Sequence, residues 1–178
     1  MALKATIFKV GLQVSDMDRN HYEHHTLTLA RHPSETDERM MIRIIAFALN
    51  ADEQLSFSKG LSTDDEPDLW QKSLTDEIEL WVELGQPDER RIRRACGRAK
   101  RVIIYTYADR SSAVWWQQNS ADYSRFKNLN VIKLSSTDSS LLSELTQRNM
   151  SLSCSIQEEQ IWISDDQRNI TLTLEHWQ

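Results

Sequence analysis

Residues 6–14 alternate. Phe8, Val10, Leu12 and Val14 fall on one side and Ile7, Lys9, Gly11 and Gln13 on the other, the period of a half-buried strand. Ser15-Asp16-Met17-Asp18 reads as a turn, because short polar side chains bond their own backbone. A second strand is predicted from about His21 to Arg31, with Leu27 and Leu29 on one face, so the chain opens with a long hairpin. After His32-Pro33-Ser34 the period changes to that of a helix, with Ser34 and Asp37 as a capping box and an end near Ala48. Its stripe is Glu38, Met41, Ile42, Ile45 and Leu49, while Arg39 and Arg43 are expected to face away.

The middle reads as alternating strands and helices. Leu55–Lys59 is a short strand, and Ile78–Leu84 alternates between Ile78, Leu80, Val82, Leu84 and Glu79, Trp81, Glu83. Pro87 is placed as a first helical residue, with Asp88 and Glu89 in the first turn. Val102–Tyr107 is nearly all apolar, as in a buried parallel strand. Helices are expected at 112–124 and 137–148, strands at 130–134, 152–156, 161–163 and 170–174. The fold class is α/β (α+β), a mixed sheet flanked by helices with extra β-strands from both termini.

Composition narrows the function classes. The 178 residues suit one domain, and 39% hydrophobic with 27% charged residues is ordinary globular usage. A net charge of −6 excludes binding of nucleic acid by bulk charge, though not by a local groove. Two cysteines give neither a disulfide framework nor a four-cysteine zinc site. With no long apolar run and no apolar leader after Met1-Ala2-Leu3-Lys4, the expectation is a cytoplasmic protein with no membrane partner.

The strongest chemical constellation is Pro67-Asp68 followed by Glu83 on the next strand. Two carboxylates on adjacent strands suit Mg²⁺, which takes oxygen ligands, and Glu38 would be a third acid. The bland alternative is solvated acids at strand ends, easily found among 27 acidic residues. The second feature is basic: on a helical wheel Arg90, Arg91, Arg94, Arg98 and Arg101 cover one face, able to bind phosphates or simply to be solvated and paired with nearby acids. His21 and His25 share a strand face with Glu23 between them, which suits either a transition-metal site or an exposed polar hairpin. Trp81 shares its face with Glu83; the other tryptophans read mostly as packing.

Leu61-Ser62-Thr63-Asp64-Asp65-Glu66-Pro67-Asp68-Leu69-Trp70 and Trp81-Val82-Glu83-Leu84-Gly85-Gln86-Pro87-Asp88 resemble the YaeQ family of proteobacterial proteins, as do Ala95-Cys96-Gly97-Arg98-Ala99, the Lys9–Leu12 start and Glu38-Arg39-Met40. The resemblance implies one domain over 1–178 with a restriction-endonuclease-like, PD-(D/E)XK core at about 34–135 and terminal strands at 3–31 and 150–175. It further implies a Mg²⁺- or Mn²⁺-dependent nuclease-like protein, with Asp68 and Glu83 on the metal and Glu38 assisting. The superfamily's lysine, two residues after the second acid, is here Gly85, so its role would either pass to Gln86 or to Lys100 on the following helix, or be absent. Arg90, Arg94, Arg98 and Arg101 would hold nucleic acid. The alternative is a non-catalytic member of the same fold that binds nucleic acid or a protein partner.

Overall fold

The computed structural model describes residues 4–59, 63–135 and 139–178. The strand start at Leu3, Leu61-Ser62 of the acidic motif and the helix start at Thr137 lie outside the described residues. The fold is mixed α and β. In chain order the elements are β1 (Thr6–Asp16), β2 (His21–Arg31), α1 (Asp37–Asn50), β3 (Leu55–Phe57), β4 (Leu69–Lys72), β5 (Ile78–Leu84) and α2 (Glu89–Arg98). Then come β6 (Ala99–Thr106), α3 (Asp109–Tyr123), β7 (Leu129–Ser135), a 3₁₀ helix (Ser139–Leu145), β8 (Asn149–Gln157), β9 (Gln160–Ser164) and β10 (Asn169–His176). They fall into two compact units, Met1–Ala51 with Ser136–Thr173, and Asp52–Ser135 with Leu174–Gln178.

In the first unit the strands run β2-β1-β8-β9-β10. The hairpin is paired over its whole length, from Thr6 opposite Arg31 to Asp16 opposite His21. β1 also runs parallel to β8, so strands from the two termini share one sheet. The alternation places Phe8, Val10, Leu12 and Val14 in the core, as the pattern requires. At the hairpin turn Asp16 Oδ1 accepts the N–H groups of Asp18 and Arg19, and Asp16 Oδ2 pairs with Arg19 Nε at 2.6 Å. The Arg19 guanidinium donates to the carbonyls of Ala48 and Ala51, covering the C-terminus of α1.

Two details of α1 differ from the sequence reading. Its cap is Thr36, whose hydroxyl accepts the N–H of Arg39 at 3.1 Å, while Ser34 bonds the ring of His32. Arg43 does not face solvent. The helix is buried on every side from Met40 to Ala48, and Arg43 ion-pairs through Nε and Nη2 with both oxygens of buried Glu35 at 2.8 Å each. Arg39 adds a third bond to Glu35 at 3.0 Å. The expected 137–148 helix is the shorter 3₁₀ turn, which packs on α1.

In the second unit the strands run β7-β6-β5-β4-β3. β5, β6 and β7 are parallel and β3, β4 and β5 antiparallel. The apolar run Val102–Thr106 is the middle of this parallel set, and α2 and α3 are its two crossovers. Asp88, not Pro87, begins α2: its carboxylate accepts the N–H of Arg91 at 2.8 Å. The helix stops at Arg98, and Ala99 is already extended (φ −112°, ψ 148°). Lys100 and Arg101 therefore lie in β6 rather than on the arginine helix. The C-terminus ties into this unit, with the Trp177 N–H on the carbonyl of Val131 and its ring stacked on Trp116.

Glu35 is a buried acid held by two arginines, so Glu35→Ala removes the counter-charge of buried Arg43. We expect a loss of about 3–5 kcal/mol in urea denaturation, with Glu35→Leu/Arg43→Leu recovering much of it. A loss below about 1 kcal/mol for the single variant would mean that Arg43 finds water instead.

Candidate functional site

Pro67-Asp68 leads directly into β4, and the pairing of Leu69 with Val82 sets Asp68 opposite Glu83. Asp68, Trp70, Trp81 and Glu83 thus share one face, because facing residues of an antiparallel pair point the same way. Asp68 is 3% and Glu83 4% exposed. The backbone locks Asp68 twice: its N–H bonds the carbonyl of Val82 at 3.0 Å, and its Oδ2 accepts the N–H of Leu84 at 2.9 Å.

Glu83 Oε1 receives two donors, the Trp81 indole N–H and Arg91 Nε, each at 2.8 Å. No donor reaches Oε2 from the described residues. Burial pushes the Glu83 carboxyl above its ordinary range; Arg91 opposes this and the charge of Asp68 adds to it. The expected shared face is found, with Glu83 in β5 and Asp68 immediately before β4 rather than in it. The expectation about Trp81 also holds, since parity along β5 aims it at Glu83.

The helix side is more occupied than the sequence suggests. Arg91 also donates to the carbonyls of Asp64 and Glu66, Arg94 binds the carbonyl of Asp64 and the carboxylate of Asp65, and Arg98 binds the carbonyl of Asp65. Arg98 also lies over the ring of Trp81, 5.2 Å from its centroid. The arginine face is turned toward the carboxylate pair and is bridged by the acidic 64–66 loop. Arg90 and Arg101 are exposed, and Arg101 is in β6.

Lys100 and Gln86 bond partners other than the carboxylate pair. Lys100 lies beside Glu79 and bonds it at 2.7 Å, with Glu77 at 3.3 Å. In the parallel register Glu83 is paired with Ile104, four residues along β6 from Lys100, or about 13 Å. Lys100 therefore cannot serve Glu83, because the strand starts earlier than the helical wheel assumed. Gln86 follows the end of β5 and donates to Ser111 Oγ at 2.7 Å and Ser112 Oγ at 3.3 Å. It rims an open depression beyond the carboxyl ends of β5 and β6, together with Ser111, Val114 and Trp115. Glu38 is half-buried on α1, in the first unit. Sequence reasoning missed Arg91 as the partner of Glu83; its only signal was an arginine three residues after a capping aspartate.

A family model described as YaeQ protein matches residues 1–174. The chain belongs to the YaeQ family. It is 48% identical over 178 residues to the "Uncharacterized protein YaeQ" of Escherichia coli (strain K12), covering 100% of this chain and 98% of that one. The Salmonella typhi protein of the same description is 47% identical with the same coverage. The crystal structure of the YaeQ protein from Xanthomonas axonopodis pv. citri superposes with TM-score 0.94 at 45% identity, covering 98% of both chains. The Pseudomonas syringae YaeQ structure gives 0.90 at 34% identity, covering 98% of this chain and 96% of the other. The family relationship thus extends over nearly the whole chain.

Folding raises the pKa of Glu83 above its ordinary 4.5, so folding favours the protonated acid. That stabilisation is complete below the ordinary value and is lost as pH rises through the folded one. Glu83→Gln does not titrate. Its stability relative to wild type should therefore improve as pH rises from the ordinary 4.5 through the raised folded value in paired denaturation curves. A difference independent of pH would show that Glu83 is not perturbed.

Proposed function

We propose that this YaeQ-family protein is a divalent-metal-dependent, nuclease-like protein acting on phosphodiesters of nucleic acid, centred on Asp68 and Glu83. The observation that carries the reading is a buried carboxylate pair on one face, in which both donors to Glu83 converge on Oε1. The donor set fits Mg²⁺ or Mn²⁺, which commonly take one or two carboxylates and complete their shell with water and phosphate. The order α1, β3, β4, β5, α2, β6 agrees with the helix, three strands, helix, strand of the restriction-endonuclease-like core that we assign to it.

Asp68 and Glu83 would hold the ion, which when bound supplies Lewis-acid stabilisation of phosphoryl charge. Asp68 is fixed for this by its bond from Leu84, and Glu83 by Trp81. Arg91 keeps the two acids compatible in its absence. Gln86, on the adjoining depression, would orient water or the phosphate. Arg94 and Arg98 would take phosphates in place of the loop oxygens they now bind.

Mn²⁺ and Mg²⁺ should raise the thermal midpoint of the wild type, and Asp68→Ala and Glu83→Ala should each abolish that rise. Hydrolysis of single- and double-stranded DNA and RNA should require the same two acids. An unchanged metal response in both variants removes them from the site.

A second reading is a non-catalytic member that binds nucleic acid through α2. It is favoured by the Arg91–Glu83 ion pair and by the engagement of Lys100 with Glu77 and Glu79. On that reading metal has no effect, while binding falls steeply with salt. Arg94→Ala and Arg98→Ala should each lower the slope of log affinity against log salt by about 0.7–0.9. Identical slopes would make the arginines purely structural partners of the 64–66 loop.

A further inference from the structure

The inward row of β2 is interrupted at its hairpin end. Alternate residues from the far end read Leu29, Leu27, His25, Glu23 and His21. The first two are buried in the core, and the last three are ligating side chains on the same face. A strand of this period ordinarily keeps that row apolar or ends it in solvated charge. Here the three side chains turn toward one another. His21 Nε2 is 3.1 Å from His25 Nε2, and Glu23 Oε2 is 3.6 Å from the former and 3.9 Å from the latter. The two rings are stacked at 13° with centroids 5.4 Å apart, and Phe47 of α1 backs His25 edge-on at 5.2 Å.

Ligand atoms held 2.0–2.1 Å from a tetrahedral Zn²⁺ stand about 3.3 Å from each other. The three separations at β2 scatter around that edge. Two imidazoles and one carboxylate are also the donor types that borderline divalent ions take, and that Mg²⁺ and Ca²⁺ do not prefer. The nearby cation, Arg19, is ion-paired with Asp16 and donates to the carbonyls of Ala48 and Ala51 rather than to the cluster.

We propose that His21 Nε2, Glu23 Oε2 and His25 Nε2 form a three-ligand binding site for Zn²⁺ or a similar borderline divalent ion, with a fourth position open to water. The site lies in the first unit and is independent of Asp68 and Glu83 in both residues and ion type. Being made by alternate residues of a terminal strand, it would fix the hairpin end of β2 when loaded.

The test uses the full chain after treatment with chelator, titrated with ZnCl₂ by calorimetry. One equivalent should bind, with little competition from millimolar Mg²⁺. Free Zn²⁺ at a hundred times Kd should raise the thermal midpoint by about 5–10 °C. His21→Gln and His25→Gln should each weaken binding by about tenfold or more, since even loss of a supporting outer group costs that much. Glu23→Gln should weaken it as well. His24→Gln, on the opposite face, should bind as wild type does. His25 packs on Phe47, so metal-free midpoints of all variants are compared first; should His25→Gln unfold, His21→Gln and Glu23→Gln decide. Co²⁺ bound to the wild type should show the intense visible bands of a tetrahedral site. Zn²⁺ affinity unchanged in His21→Gln and Glu23→Gln, or equal losses in His24→Gln, would overturn the site and leave a hydrogen bond between two imidazoles.

Discussion

The second unit is organised around one unfavourable placement: two carboxylates directly across a strand pair, both removed from water. Like charges this close repel strongly once the solvent is gone, and each also forfeits its hydration. The fold answers with fixed donors. The Leu84 N–H holds Asp68, the Trp81 indole holds Glu83, and Arg91 brings the compensating charge from α2. Arg91 can do so only because Asp88 caps the helix three residues earlier and sets its phase over β5. Its remaining donors anchor the Asp64 and Glu66 carbonyls, so the same guanidinium positions the loop that leads into Pro67-Asp68. Strand, helix and loop therefore meet at this ion pair.

Much of this was legible in the sequence because it is local. Period-two alternation identified β1, β2 and β5, and put Trp81 and Glu83 on one face; the apolar run at 102–106 announced a strand covered on both sides. What escaped is what depends on distant partners. Arg43 looked solvated on a helical wheel, yet α1 is enclosed all round and Glu35, just outside the helix, supplies its counter-charge. Lys100 was placed on a helix because nothing in the residues marks the abrupt passage from Arg98 into β6. The parallel pairing of β1 with β8 joins segments some 140 residues apart, and periodicity carries no information on such pairings.

The Glu35–Arg43 and Glu83–Arg91 pairs do different work, and their geometry tells them apart. Arg43 meets Glu35 with two parallel bonds that use both oxygens, and Arg39 adds a third. Such a closed arrangement fixes a helix and offers nothing to a ligand. Arg91 instead meets Glu83 through Nε alone, on the oxygen that Trp81 already uses. Its other two nitrogens are spent on loop carbonyls, so the carboxylate is only half engaged. Burial without full engagement is the condition under which a carboxylate gains most from an added cation, and Asp68 beside it increases that gain.

The same geometry explains why the cation comes from a helix and not from the strand. A lysine two residues after Glu83 would occupy the Gly85 position, where φ is +90°. Nothing lies within 4 Å of where its Cβ would stand, so space is not the obstacle. The backbone is: a residue with a Cβ pays about 1–2 kcal/mol for such a conformation. That conformation is itself anchored, because the Gly85 N–H bonds the carbonyl of Tyr105 as β5 turns away toward Pro87 and α2. Straightening the chain to admit a lysine would break this bond and move the start of α2, and with it Arg91. A glycine at this point and an arginine on the next helix are therefore one solution, in which the charge that balances Glu83 arrives from above the sheet rather than along it.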